Sequence, residues 1–330
     1  SAGLVDPERV RQASLMRRAA QQEEGELRYP LAPLRCSKAQ SVPLNVLWIV
    51  IDGLRPDAVD TASTPALAAF RAESLAFDEH WSAGNSSRMA AFGMFYGLPN
   101  NYFQAFYAAE RPPVLLDQFR AQGYELMAAS AAGFGSPTQM DRTVLAGVPA
   151  LYSAPGPGRV DSNRQTAAAF VEWLGARKPE QPFFSLVWFN HSDLDVGAIG
   201  PEPAPDGRYA GNPEARTRWN HYRRGLRFID AEIGRVLEAL DQKGERERTL
   251  ALVMGDHGFE FDDLGLGYYG HASNYGQYQL RTPLMMRWPR IAPRVFTHRT
   301  SHFDLPTTLL QDVLGCTNPP ADYGMGRNLF

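Results

Sequence analysis

Cysteine is scarce in this 330-residue chain: Cys36 and Cys316 stand at opposite ends, and no disulfide framework can be built from two residues. One bridge between the ends is the single pairing available, and it needs an oxidising compartment. Long apolar runs are missing too. No window reaches the roughly 18 to 20 consecutive apolar residues of a spanning helix, and the N-terminus lacks the charged-then-apolar layout of a signal peptide. As given, the chain reads as soluble. It opens on Ser1 rather than Met, as an excised piece of a longer, anchored protein or a processed terminus would. An excess of positive charge is absent as well, with Lys+Arg 33 against Asp+Glu 36 and a net charge of −3, which argues against a nucleic-acid partner. Neither internal repeats nor low-complexity tracts interrupt the sequence.

What is present is a 44% apolar composition, enough for the core of one large domain. Residues 1–44 read as a lead-in. A polar helix is expected over residues 6–25, opening near Asp6-Pro7 and carrying Arg9, Arg11, Arg17 and Arg18. Its thin apolar face, with Leu4, Val10, Leu15 and Met16, would dock on the body or on a membrane surface. Tyr29 to Pro43 is then an extended, proline-punctuated connector.

The body, residues 45–330, begins with Asn45-Val46-Leu47-Trp48-Ile49-Val50-Ile51-Asp52, an unbroken apolar run closed by an acid, as expected for a strand buried on both faces. Similar runs start at Leu126, Phe183, Thr249 and Pro283. Helical spacing of apolar residues lies between them, over residues 64–73, 114–122, 166–177, 222–242 and 305–314. The alternation predicts an α/β fold with a mostly parallel central sheet and helices on both faces. Ligands of such sheets gather beyond the carboxyl ends of the strands, where Asp52, Asn190-His191 and Asp256-His257 fall.

Carboxylate oxygens and an imidazole converging from several strand ends suit a divalent ion such as zinc, manganese or magnesium. The small-residue loop Gly84-Asn85-Ser86-Ser87-Arg88 precedes a helical stretch from Met89. It either caps that helix or presents a hydroxyl nucleophile where backbone N–H groups favour an anion. Arg88 is either a phosphate clamp or a solvated charge. The segment from Glu260 to Gly270 reads as a lid, with Glu260, Asp262 and Asp263 as solvated loop charges.

Four stretches resemble, in order, the sulfatase branch of the alkaline-phosphatase superfamily: Asn45 to Arg55, the helix around Asp230, Thr249 to Gly258 with its Asp-His-Gly, and His302 to Leu310. Gly84-Asn85-Ser86-Ser87 followed by Phe92 to Gly97, with Tyr29 to Arg35 upstream, is similar to the YejM/PbgA family of lipopolysaccharide regulators. The resemblance implies an alkaline-phosphatase/sulfatase-like fold on the periplasmic side of the Gram-negative inner membrane, preceded by a five-helix membrane portion. It implies Asp52, Ser87, Asp256 and His257 as ligands of one divalent ion (Mg, Mn or Zn), with His191, His271 and His302 as candidates for a second ion or for substrate phosphate, or else hydrogen-bonded core or rim histidines. Ser87 stands where lipoteichoic-acid synthases and phosphoethanolamine transferases place a threonine nucleophile.

The implied partners are lipopolysaccharide, lipid A or an anionic phospholipid, met by Arg11, Arg17, Arg18 and Arg35, together with inner-membrane regulatory proteins of lipopolysaccharide synthesis. The alternative is a metal-dependent phosphatase or phosphotransferase on phosphoesters or lipid headgroups. Arylsulfatase activity is not expected, because neither cysteine lies near the loop and no Cys/Ser-x-Pro-x-Arg motif surrounds Ser87.

Overall fold

The described residues form twelve strands, the longer ones on apolar runs: β1 (Asn45–Ile51), β2 (Leu75–Phe77), β3 (His80–Trp81), β4 (Glu125–Ser130), β5 (Ala150–Ser153), β6 (Phe183–Phe189), β7 (Thr249–Gly255), β8 (Glu260–Phe261), β9 (Tyr269–Gly270), β10 (Leu284–Arg287), β11 (Arg294–Phe296) and β12 (Thr300–Ser301). The computed structural model describes residues 27–37, 43–154, 158–191 and 203–330. The helix expected over residues 6–25, and with it Arg11, Arg17 and Arg18, lies outside the described residues.

Eight strands form the main sheet in the order β11-β2-β10-β7-β1-β6-β4-β5, and β3–β12 and β8–β9 are two-stranded pairs. From β7 to β5 every neighbouring pair is parallel. The run at Pro283, read from sequence with the parallel strands, is instead antiparallel to both β7 and β2. A continuous apolar run reports burial on both faces but carries no information on direction.

Side chains of β1 alternate between two cores. Val46, Trp48 and Val50 pack with the helices Ser87–Tyr96, Val114–Ala121 and Asp304–Thr308, the last continuing as a π-helical turn over Leu309–Val313. Trp48 stacks on Phe95 with ring centroids 4.8 Å apart. Leu47, Ile49 and Ile51 pack with the helices Pro65–Ala72, Arg159–Ala176 and Pro213–Gln242. The sheet is thus covered on both faces. The helix Pro213–Gln242 starts well before the apolar spacing does, because Asn212 caps it by accepting from Ala215 N (3.1 Å) and Pro213 fits the first turn.

Cys36 and Cys316 are joined in a disulfide. It fastens the described part of the lead-in to the body, where Tyr29 packs against Tyr96 and Phe106. Among the described residues no helix is long and apolar enough to cross a membrane.

Candidate metal centre

Strand register assembles the floor of the site. Ile51, the last residue of β1, pairs with Phe189 on one side and Gly255 on the other, so Asp52, Asn190 and Asp256 emerge side by side. Gly53 follows at φ +65°, a left-handed turn, and a Cβ there would meet His191 Cε1 at 2.8 Å. That turn points Gly53 N–H at Asp256 Oδ1 (2.8 Å), which also accepts from His257 N (2.8 Å).

Asp52, Asp256 and His257 are all buried, and each offers one ligand atom within 4.8 Å of the others. Asp256 Oδ2 lies 3.4 Å, and Asp52 Oδ1 3.7 Å, from His257 Nε2. Opposite them, His257 Nδ1 is 2.8 Å from the Gly258 carbonyl, which can only accept, so Nδ1–H donates there and Nε2 is the ring nitrogen turned to the two carboxylates. Asp256 Oδ2 is buried without a hydrogen-bond partner among the described residues. Two buried carboxylates this close together repel one another unless positive charge offsets them, and oxygen with nitrogen donors suits zinc, manganese or magnesium. The residues therefore fit a divalent ion.

Ser87 completes the ring, its Oγ 3.5 Å from His257 Nε2. It is the first residue of the helix Ser87–Tyr96. Ser86 occupies the cap position in an extended conformation and makes no side-chain cap bond, so the simple capping role is not the one realised. The loop is held from behind: Ser82 Oγ donates to the Asp256 carbonyl (2.6 Å) and accepts from Gly84 N (3.1 Å), while His302 Nδ1 accepts from Ala83 N (3.3 Å). Ser87 opens into a cavity of about 240 Å³ shared with Met89, Asn100, Thr138 and His271.

The remaining sequence candidates divide. His271 stacks on His257 with centroids 4.5 Å apart, and burial lowers its pKa. His191, wedged edge-on between Tyr222 and Phe259, is held neutral by burial and by His257 and His271, its pKa lowered to about 3. Both lie beside the floor. His302 does not join it: buried against His80, it supports the serine loop, and its pKa falls well below the usual range. Arg88 spends its guanidinium on the Pro137 carbonyl and the Phe103 ring. Arg35 is exposed beside the disulfide, and its backbone bonds Asn318 and Thr317.

Glu260, Asp262 and Asp263 are not solvated loop charges. Glu260 is buried and accepts from Asn274 Nδ2 (2.6 Å) and Gln279 Nε2 (2.8 Å). Asp263 pairs with the buried Arg55 at 2.9 Å and accepts from Tyr209, and Asp262 accepts from Asn212 Nδ2 (2.9 Å). The segment is the β8–β9 hairpin, fastened at its base. Asp230 likewise serves the fold, accepting from Ala66 and Leu67 N–H at the start of the helix Pro65–Ala72 (2.9 and 2.8 Å).

Sequence reasoning placed Asn190 at a strand end beside Asp52 but missed Asn163, which holds it. Asn190 Nδ2 donates to Asp52 Oδ2 (3.0 Å), and Asn190 is fixed by a reciprocal exchange in which its N–H donates to Asn163 Oδ1 (3.0 Å) and its carbonyl accepts from Asn163 Nδ2 (2.8 Å). A buried asparagine in a helix interior was the available signal. Tyr222 was missed too: its hydroxyl donates to Gly53 O and accepts from Arg55 N, both at 2.9 Å, clamping the turn after Asp52.

Comparison with known proteins places this geometry. The family model described as Sulfatase matches residues 44–315. The inner membrane protein YejM of Salmonella typhimurium is 27% identical over 99% of this chain, which covers 51% of that protein, so the chain spans about half the length of that relative. Among solved structures, the phosphonate monoester hydrolase of Agrobacterium radiobacter superposes with a TM-score of 0.66 at 19% identity, covering 87% of this chain and 76% of its own. The lipoteichoic acid synthase LtaP of Listeria monocytogenes gives 0.65 at 12% identity, covering 86% and 76%. These two structures share the fold.

Proposed function

The chain belongs to the sulfatase family, and from that premise we propose that it is the periplasmic domain of a YejM-like inner-membrane protein whose strand-end site holds one divalent ion and acts on phosphoesters through Ser87. The observation that carries the reading is Ser87 Oγ 3.5 Å from His257 Nε2, in a ring with Asp52 and the unpartnered Asp256 Oδ2. Asp52, Asp256 and His257 would hold the ion, with Ser87 Oγ as a fourth ligand that the other three can do without. When bound, it supplies Lewis-acid polarisation of a phosphoryl oxygen and lowers the pKa of a coordinated hydroxyl.

The chain's own residues do the rest. Ser87 Oγ forms a bond to phosphorus as the ester oxygen departs, and water then hydrolyses the phosphoseryl enzyme. The N–H groups at the start of the helix Ser87–Tyr96 favour the phosphoryl anion. His271, kept neutral by burial, is placed in the cavity to hydrogen-bond substrate. Met89 follows Ser87-Arg88 where the sulfatase motif needs proline, so arylsulfatase chemistry is not part of this reading. The disulfide supports an oxidising, periplasmic setting.

A second reading is favoured by the match to YejM over 99% of the chain. In it the domain helps to set lipopolysaccharide levels through inner-membrane regulatory proteins, with Arg11, Arg17, Arg18 and Arg35 meeting phosphates of lipopolysaccharide or anionic phospholipid. Reversing the charge of Arg17 and Arg18 in the anchored protein should then change lipopolysaccharide level; an unchanged level counts against it.

Metal analysis of the purified domain with hydrolysis of p-nitrophenyl phosphate tests the first reading. Wild type should carry the ion and turn over, Asp256→Asn should lose both, and Ser87→Ala should keep the ion while turnover falls by about 10³-fold or more. A metal-free wild type, or hydrolysis indifferent to both substitutions, sinks it.

A further inference from the structure

Large exposed apolar side chains gather beside the cavity. Leu264, Leu266 and Tyr268, at the tip of the β8–β9 hairpin, are 56%, 65% and 40% exposed, and Tyr275 just beyond it is 66% exposed. Glu260 and Asp263 are bound at the hairpin base, and the Asp262 carboxylate is taken up by Asn212 Nδ2 (2.9 Å) and by the backbone N–H of Gly267 (2.6 Å), so no acid of the segment projects from the tip as a free side chain. From Leu264 to Tyr268 the chain carries no charged side chain. An apolar tip held out on a fastened hairpin is not explained by packing among the described residues, and contiguous exposed apolar surface marks an interaction site.

Two further observations say what covers it. Next to the hairpin, the Arg218 guanidinium lies over the Tyr269 ring at 4.7 Å while pairing with Glu214 at 2.8 Å, and Arg216 is exposed in the same first turns of the helix Pro213–Gln242. Apolar and tyrosine side chains flanked by arginine match an anionic lipid surface, with hydrocarbon below and phosphate at the level of the cations. The other flank is continuous with the cavity: Gly270 leads into His271, which lines it, and Tyr275 Oη is 3.9 Å from the sulfur of Met89, which lines it too.

We propose that the tip of the β8–β9 hairpin is a membrane-docking element. Leu264, Leu266 and Tyr268 enter the surface layer of an anionic bilayer, Arg216 and Arg218 meet lipid phosphates, and the cavity at Ser87 opens at headgroup level. This rests on the periplasmic, membrane-facing part of the reading above, uses a surface other than the arginine-rich lead-in, and does not require Ser87 to turn over.

The test uses the whole 330-residue chain with vesicles of equal parts phosphatidylglycerol and phosphatidylethanolamine, and with phosphatidylcholine vesicles as the neutral control. Co-sedimentation with the anionic vesicles should weaken roughly tenfold or more in a Leu264→Ser/Leu266→Ser double variant, since each leucine forfeits burial in hydrocarbon. Its metal content and p-nitrophenyl phosphate hydrolysis should stay at wild-type level. An environment-sensitive dye on Leu266→Cys should shift to the blue with anionic vesicles and not with phosphatidylcholine. Equal co-sedimentation of the double variant, a dye that ignores anionic vesicles, or a blue shift that grows with protein concentration without lipid would overturn the proposal, the last by assigning the tip to a second copy of the chain. Loss of turnover in wild type with the vesicle results intact would remove the hydrolase reading and leave this one standing.

Discussion

The floor of the site and its rim are built by different means. Asp52, Asp256 and His257 stand at the ends of adjacent parallel strands, buried and positioned by the register in which Ile51 faces Gly255. Ser87, His271 and Tyr275 belong to a helix start and to loops, are half-buried or exposed, and are linked across elements by contacts such as Asn85 Nδ2 to the Asn274 carbonyl (2.9 Å). A floor fixed by the sheet would keep the proposed ion while the rim changes, because loops tolerate substitution that buried strand ends do not. Ion binding and the choice of what is bound or cleaved are therefore separable in this architecture.

The largest expected effect comes from breaking the floor at its centre. Asp256→Ala removes a ligand and also the acceptor for Gly53 N and His257 N, so ion affinity should fall by more than the roughly 10–100-fold typical of an outer-shell partner. Asn163→Ala is the sharper probe. Asn163 touches none of the candidate ligands, yet through Asn190 it orients Asp52. Titration calorimetry should show ion affinity lower by about 10–100-fold. An affinity unchanged in Asn163→Ala would mean that strand register alone positions Asp52.

Much of the floor was legible in the sequence because it depends on two local signals, an apolar run and the polar residue that ends it. Asp52 and Asp256 follow unbroken runs, and such strands have few alternatives but to lie side by side in a buried sheet. The direction of β10 was not legible, since burial on both faces looks the same whichever way a strand runs. Short strands such as β11 at the sheet edge and β2 beside it, with three residues each, carry too little pattern to be recognised. The roles of Asp263 and Asn163 depend on partners far away in sequence: Arg55 reaches Asp263 across 208 positions. Sequence spacing gives no hint of such pairs. Acids in a glycine-rich loop were expected to be solvated, and here they are the fastenings of the hairpin.

At the rim the expected effects are smaller and of another kind. His271→Ala should leave ion affinity at the floor within a few-fold while raising KM for a phosphoester by about five- to tenfold, the worth of one neutral hydrogen bond. Steady-state kinetics beside calorimetry would show the split. If ion affinity falls as far as it does in Asn163→Ala, His271 belongs to the floor and the division drawn here fails.

The smallest effect concerns what lies under the rim. His80 is buried, bonded through Nδ1 to Thr300 Oγ1 (2.9 Å), and packed on His302, which in turn holds Ala83. Burial lowers the His80 pKa from 6.5 to about 3. An imidazole with a folded pKa below its unfolded one takes up a proton on unfolding, so its contribution to stability is whole above pH 6.5 and is lost as pH falls toward 3. His302 is shifted in the same direction and adds to the same limb. Thermal melts between neutral and acid pH should therefore fall less steeply for His80→Gln than for wild type, even if the variant starts lower at neutral pH from lost packing. Parallel curves would show that carboxylates elsewhere, and not the histidines beneath the serine loop, set the acid limit.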